Sequence, residues 1–358
     1  MIRYLSREEK QHTRTMYEMN FPEDEKAFVD YYYEWKIRDN QILVMEDENE
    51  PGQLQVMIHL NPFEFYMCGE KVEVNYIVAV ATEASVRKQG KMAQVMKVAL
   101  QDMAKKHQPF TFLIPANPKV YLSSGFVFVP CERYEKEQNL LGERVKRKGL
   151  NIAIEPDMEL SAASVTEQMT IRKCTLEDIP KLTRFSNEML QQKYDIFPYK
   201  TEVYYARMLA ELEGECGGLM LVVQGEELVG CFSYGQSNDK TEIQEILISS
   251  RNDKGIFDGI RETFSDRQIN VTDMNYMIRI LDIRVLGLLL RSVEPFSLKV
   301  QITDDIIEEN NGCFEIKADM AGGSITSIAE KDVESCMNIP QLTEFLFGKM
   351  KLFIREWV

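Results

Sequence analysis

The chain has 358 residues, more than one hydrophobic core usually organises, so two or three domains are expected. Its composition, 44% apolar and 28% charged, is that of an ordinary folded protein without a long disordered tail. The net charge of −15 argues against nucleic acid as the main partner. An acidic surface concentrates cationic small molecules near a cleft, and it also simply keeps a protein in solution; both readings stay open.

The seven cysteines (68, 131, 174, 216, 231, 313 and 336) form no CxxC pair. Their odd count, with no secretory signal, predicts reduced thiols in the cytoplasm. His12, His59 and His107 show no metal-ligand spacing, so no metal is expected. No apolar stretch approaches the roughly 18 residues that span a membrane. The one basic run, Arg144, Lys146, Arg147 and Lys148, reads as a solvated loop.

Met1–Lys10 reads as a short strand and then a helix, with Ser6 and Glu9 spaced as a capping box. An acidic, aromatic helix covers about 23–36. Strand signals follow at 42–45, 54–60 and 72–82, then a helix over about 91–107 with apolar positions at Met92, Val95, Met96, Ala99, Leu100 and Met103. Strands at 110–114 and 126–129 complete a mixed α/β layer. From Gln168 the theme restarts: a strand at 171–175, helices at 176–192 and from Pro198 to Leu212, and strands at 219–223, 227–234 and 242–248. This block looks like a degenerate copy of the first, without its glycine turn. The last block has a strand at 277–281, a helix at 283–290, a hairpin-type turn at Asn310-Asn311-Gly312, a helix from Pro340 to Gly348 and an apolar tail.

Chemistry concentrates in Val80-Ala-Thr-Glu-Ala-Ser-Val-Arg-Lys-Gln-Gly-Lys-Met92, where a strand ends, a basic glycine loop follows and an amphipathic helix begins. A helix N-terminus leaves about four N–H groups unpaired and carries roughly half a positive charge, which suits a pyrophosphate. Gly90 leaves room for its approach, and Arg87, Lys88 and Lys91 add positive charge. An ordinary strand-to-helix turn has the same outline. The second feature, Tyr121-Leu-Ser-Ser-Gly-Phe126, comes just past the next strand.

Together these motifs resemble the GNAT acetyltransferases, with Arg87-Lys-Gln-Gly90-Lys-Met92 as the loop and Tyr121-x-x-x-Gly125-Phe126 after it. Met92 stands where a small residue is usual, as Eis-type members tolerate, and Ala84 stands where proline is common. In outline the whole chain is similar to the Eis type. That resemblance implies an α/β (α+β) fold of two tandem GNAT-like mixed-sheet domains, 1–150 and 151–268, followed by a sterol-carrier-like α+β domain, 269–358. It also implies acetyl-CoA as co-substrate, a small cationic amine as acceptor (aminoglycosides, with polyamines and lysine side chains open), and homo-oligomers, trimers or hexamers.

Carried over by position, Val80, Ala81 and Thr82 meet the pantetheine arm. Arg87, Lys88, Gln89, Gly90, Lys91 and Met92 hold the pyrophosphate, and Asn117 touches CoA again. Tyr121 is the candidate general acid: a phenol with pKa near 10 can protonate a departing thiolate. A tyrosine packed under the cofactor is its structural alternative. The resemblance gives the base role to the main-chain carboxylate of Val358; a buried structural tail is equally compatible, and Glu83 or Glu73 acting through water is a weaker substitute. Tyr33 and Trp35 are candidates to stack on the amine, with Glu23, Asp24 or Glu34 attracting its charge, against core packing as the plain reading. Two other functions remain: a CoA-sensing or lipid-binding carrier without turnover, and a protein or peptide lysine acetyltransferase.

Overall fold

The computed structural model describes residues 1–131, 141, 153–154, 169–214, 216–237, 240–249, 253–271 and 274–356. The basic run at 144–148, the junction near 150 and Val358 lie outside the described residues.

The first stretch carries β1 (Ile2–Tyr4), α1 (Arg14–Asn20), α2 (Lys26–Glu34), β2 (Gln41–Glu46), β3 (Leu54–Met67), β4 (Glu70–Thr82), α3 (Lys91–Lys105), β5 (Phe110–Leu113), α4 (Lys119–Leu122) and β6 (Val127–Phe128). Regular helix thus begins only at Arg14, although Ser6 N–H does donate to the Glu9 carboxylate at 2.8 Å. β1 to β4 run antiparallel in order, and β5 joins β4 in parallel. Alternate residues of β2 and β3 face opposite sides, as a pleated strand requires. Leu43, Met45, Val56, Ile58 and Leu60 meet the apolar stripe of α3, whose Val95, Met96, Ala99, Leu100 and Met103 are buried. Ile42, Val44 and Met57 meet Tyr17, Phe28, Val29, Tyr31, Tyr32 and Tyr33 from α1 and α2.

The second stretch carries β7 (Ala153–Ile154), β8 (Met169–Lys173), α5 (Ile179–Lys193), β9 (Ile196–Pro198), α6 (Glu202–Gly214), β10 (Gly218–Gln224), β11 (Glu227–Ser237), β12 (Lys240–Ile248), α7 (Asp253–Thr263) and β13 (Gln268–Val271). Strands β8, β10, β11 and β12 are antiparallel in order and β13 joins β12 in parallel, with two helices after β8 and one after β12. That repeats the pairing of β1 to β5. The expectation of a helix from Pro198 is corrected: Ile196–Pro198 is a strand, and it pairs with Phe65–Met67 of β3 in the first sheet. The helix begins after Thr201, whose hydroxyl accepts the Tyr204 N–H at 3.0 Å.

The last stretch carries β14 (Met277–Ile280), α8 (Ile283–Leu289), β15 (Phe296–Thr303), β16 (Gly312–Ala318), β17 (Gly323–Ser327), β18 (Ser335–Asn338) and α9 (Ile339–Phe347). β15 to β18 form their own four-stranded sheet, but β14 lies in the first sheet between β5 and β6. The expected tight hairpin at Asn310–Gly312 is instead a longer connection with a 3-10 turn at Glu308–Asn310. Asn310 is buried there, accepting the Ile283 N–H at 3.1 Å and donating to Leu281 O at 3.0 Å, so its side chain braces the exit from β14. α9 begins as its sequence indicates, with Pro340 in the first turn and a capping box between Asn338 and Gln341.

Candidate active site

β4 and β5 are in register only at Tyr76 and Phe112, after which β4 continues to Thr82 with β3 alone as partner. The sheet therefore splays open beside Ile77–Thr82, leaving one edge of that backbone unpaired. A bulge lies in the same place: Ala79 takes φ 48°, and Met57 and His59 face Ala81 and Val78, so two residues of β4 oppose Ile58.

The turn into α3 is left-handed twice, at Lys88 (φ 62°) and at Gly90 (φ 75°), which caps the helix. A Cβ at Gly90 would meet no atom within 4 Å, so the space above it is open. The first helical bond, Gln94 N–H to Gly90 O at 3.2 Å, leaves the earlier amides unused by the helix. Open space, free amides and two nearby lysines fit a pyrophosphate.

Val80, Thr82, Lys88, Gly90, Lys91, Met92, Asn117 and Tyr121 all line one cleft of about 430 Å³. Ala81, Arg87 and Gln89 do not. Ala81 alternates into the core under α1 and α2. Arg87 braces the loop, donating to Thr82 O at 3.0 Å and to Asn20 Oδ1 at 2.8 Å, while Gln89 turns back to Ser85 O at 3.4 Å. Lys91 donates to Gln55 Oε1 at 2.7 Å. Asn117 accepts the Lys119 N–H at 3.2 Å at the start of α4.

Tyr121 is 8% exposed on the one-turn helix α4, its ring edge-on to Phe126. Burial pushes its phenol up to about 12, so the group keeps its proton through the neutral and mildly alkaline range. Glu83 is engaged as a cap, accepting from the Ser85 hydroxyl and from the Ser85 N–H at 2.7 Å, and these bonds, the hydroxyl's first, hold its pKa below the usual carboxylate range. Glu73 lies on the exposed stretch of β4 opposite Glu64, toward the far end from the splay.

Tyr33 and Trp35 do not line this cleft. Tyr33 is 2% exposed among Tyr17, Tyr32 and His59, with its hydroxyl 2.9 Å from Thr13 Oγ1. Its ring belongs to the core, packed against Tyr17 of α1 and His59 of β3. Trp35 is 39% exposed under the Arg38 guanidinium, 4.6 Å from its ring centre.

A second cavity, of about 140 Å³, which the sequence did not single out, is lined by four carboxylates, Asp39, Glu64, Glu211 and Glu356, and by three cations, Lys36, Arg207 and Arg355. It lies between β3, the turn after α2, helix α6, strands β11 and β12, and the tail. Of its carboxylates, Asp39 pairs with Arg207, and Glu64 with Lys71 at 2.9 Å. Glu211 accepts from Tyr31 OH at 2.9 Å, with Lys36 3.8 Å away, and burial raises its pKa against the pull of Lys36. Glu356 pairs with Lys200 at 3.2 Å, and Lys200 is already bonded to Glu245 at 2.9 Å. One ammonium thus serves two carboxylates. The sequence signal for this cavity was a charged pair, Arg355-Glu356, inside an otherwise apolar tail.

Tyr76, at the fork of β4 and β5, is buried with its ring stacked on Phe112 at 4.6 Å and lines neither cavity. Burial raises its phenol well above the ordinary value, and the neighbours that add to the shift include Glu356 and Glu211 of the second cavity and Tyr121 of the cleft. Among the described residues, no group of three or more His, Cys, Asp or Glu is placed to hold a metal ion. No helix among them is long and apolar enough to cross a membrane.

Residues 1–129 match the family described as "Acetyltransferase (GNAT) domain". No curated protein matches the chain. Its fold is similar to that of a probable N-acyltransferase from Enterococcus faecalis V583, with a TM-score of 0.74 at 15% identity, covering 97% of this chain and 89% of that one. A GCN5-related N-acetyltransferase from Anabaena variabilis gives a TM-score of 0.72 at 14% identity, over 97% and 90% of the two chains. Eis1 from Mycobacterium abscessus gives 0.64 at 10% identity, also over 97% and 90%. Residues 1–129 thus carry a GNAT acetyltransferase domain, and the fold of the whole chain is like that of these proteins. A GNAT domain takes its acyl group from an acyl-CoA, which agrees with the open glycine turn and unused helix amides at Lys88–Met92.

Proposed function

We propose that the chain is an N-acetyltransferase moving acetyl from acetyl-CoA to a primary amine of a small, cationic, aminoglycoside-like molecule. The observation that carries this reading is that the phosphate-type loop, the unpaired edge of β4 and Tyr121 line one cleft. The unpaired edge at Val80–Thr82 offers backbone groups to the pantetheine arm. Lys88, Gly90, Lys91 and Met92 receive the pyrophosphate at the N-terminus of α3, and Asn117 closes the opposite side.

The amine nitrogen attacks the thioester carbonyl, the C–S bond breaks, and Tyr121 gives its proton to the departing thiolate. The amine proton passes to a base, a role the resemblance assigns to the main-chain carboxylate of Val358. The described tail ends two residues earlier, with Glu356 on the wall of the second cavity. In this reading that cavity takes the acceptor in place of Tyr33 and Trp35, its carboxylates Glu211 and Glu356 accepting hydrogen bonds from the polar groups of the amine. The chain then comprises two tandem GNAT-like units divided near 150 and a sterol-carrier-like unit that begins after β13, not at 269 as expected, because Gln268–Val271 pairs within the second sheet. It works in the cytoplasm as a trimer or hexamer.

The test is thiol release from acetyl-CoA with aminoglycosides, polyamines and lysine peptides as acceptors. Turnover with an aminoglycoside or polyamine is the expected result. Turnover with lysine peptides alone would assign a protein acceptor. CoA binding without turnover of any amine would overturn the reading and favour the sensor or carrier.

A further inference from the structure

The end of the chain runs into the molecule. Phe353 N–H donates to Ile196 O at 2.9 Å, and the N–H groups of Asp195 and Ile196 donate to Lys351 O at 2.9 and 3.2 Å. This pairing with β9 directs the backbone but leaves a side chain three residues further on unplaced. Glu356 is held by other groups. Its Oε1 accepts from Tyr204 OH at 3.0 Å and from Lys200 Nζ at 3.2 Å, and its main-chain oxygen accepts from Tyr276 OH at 3.0 Å.

Lys200 has little freedom of its own. Its side chain is 0% exposed. Asn187 grips its backbone on both sides, accepting the N–H at 3.0 Å and donating to the carbonyl at 2.7 Å. Its ammonium also reaches Glu245 Oε2 at 2.9 Å and Tyr204 OH at 2.6 Å. Burial alone would lower its pKa, but the two carboxylates outweigh burial and keep it charged. Fully buried lysines are rare, and buried ion pairs contribute weakly to stability. One carboxylate from its own unit would already balance the charge of this ammonium, whose three donors go to Tyr204, Glu245 and Glu356. The second comes from the tail and belongs to the acceptor cavity.

We propose that Lys200 is a positioning residue through which the second unit, which lacks the glycine loop, fixes Glu356 and the end of the tail at the wall of the acceptor cavity. The inference rests on the reading of that cavity as the acceptor site. It gives the second unit a task in the reaction that does not involve CoA.

The test is the double variant Lys200→Met/Glu245→Gln, which removes one charge of each sign from the interior and spares Glu356. Its KM is measured for acetyl-CoA and for whichever of neomycin, kanamycin and spermidine the wild type turns over best, with Glu245→Gln alone as control. The expected result is an amine KM raised about tenfold or more, an acetyl-CoA KM within about twofold, and the control near wild type on both. Amide exchange at Phe353 should quicken about tenfold, with β8 and β10 unchanged. A folded double variant with wild-type amine KM overturns the proposal, even if exchange quickens, because Lys200 is then structural only. If the wild type turns over no amine, the function above fails by itself, and unchanged exchange at Phe353 overturns the tether separately. If the double variant does not fold, Asn187→Ala decides, since Asn187 holds the Lys200 backbone and does not line the cavity: an amine KM raised about threefold with acetyl-CoA unaffected supports the proposal, and no change overturns it.

Discussion

Gly125 lies against the guanidinium of Arg279: a Cβ at that position would come within 3.1 Å of Nη1. Arg279 is 1% exposed, on β14, and is anchored to Asp304 at 2.7 Å. Gly125 follows Tyr121 in the motif after β5 and takes φ +81°, a conformation that L side chains rarely adopt. The strand that the C-terminal stretch lends to the first sheet therefore sets the floor beneath Tyr121.

Replacing Gly125 by alanine should strain the backbone and press on an arginine that is held in place. The expected cost is about 1–3 kcal/mol. A fall of several degrees in Tm should appear in thermal unfolding, and kcat should drop more than either KM. An alanine variant with wild-type Tm would mean that the contact relaxes freely.

Gly90 makes a different demand, because its surroundings are empty. Gly90→Val would place a branched side chain at positive φ and project it into the phosphate-receiving space. The KM for acetyl-CoA should rise about tenfold or more, while the amine KM stays within about twofold. Initial-rate kinetics with each substrate varied would show the split; equal effects on both KM values would speak against this loop as the CoA site.

The pH profile follows from the burial of Tyr121. Its raised pKa, about 12, means that the acid is still protonated at the pH where an exposed tyrosine would be half ionised. The sign is simple: the general acid is active when protonated, so kcat is retained as pH rises through 10 and declines only on approach to 12. A stopped-time assay between pH 7 and 11 checks this. An alkaline fall centred near 9 would assign the limiting proton to another group.

Much of the first unit was legible in the sequence because its signals are local. The apolar spacing of α3, the glycine before it and the run 72–82 each report on neighbouring residues. The paired motifs around Gly90 and Tyr121 then led to residues that share a cleft. The second cavity was not legible, since Lys36, Glu211, Lys200 and Glu356 meet only through long-range packing between the first two units and the tail. Tyr33 and Trp35 misled for the same reason: an aromatic cluster on a helix looks identical whether its face meets solvent or, as for Tyr33, the sheet and α1. β9 was missed because Ile196–Pro198 is too short to show alternation, and its partner, β3, is more than a hundred residues away.

The central claim is that Tyr121 protonates the departing thiolate in an acetyl transfer. The most direct measurement is the kcat of Tyr121→Phe beside wild type, followed as thiol release with a saturating amine and acetyl-CoA. The account predicts a loss of about 100-fold or more with the acetyl-CoA KM little changed, in the range for removal of a general acid. A phenylalanine variant that retains wild-type kcat would contradict it and leave Tyr121 as a packing residue under the cofactor.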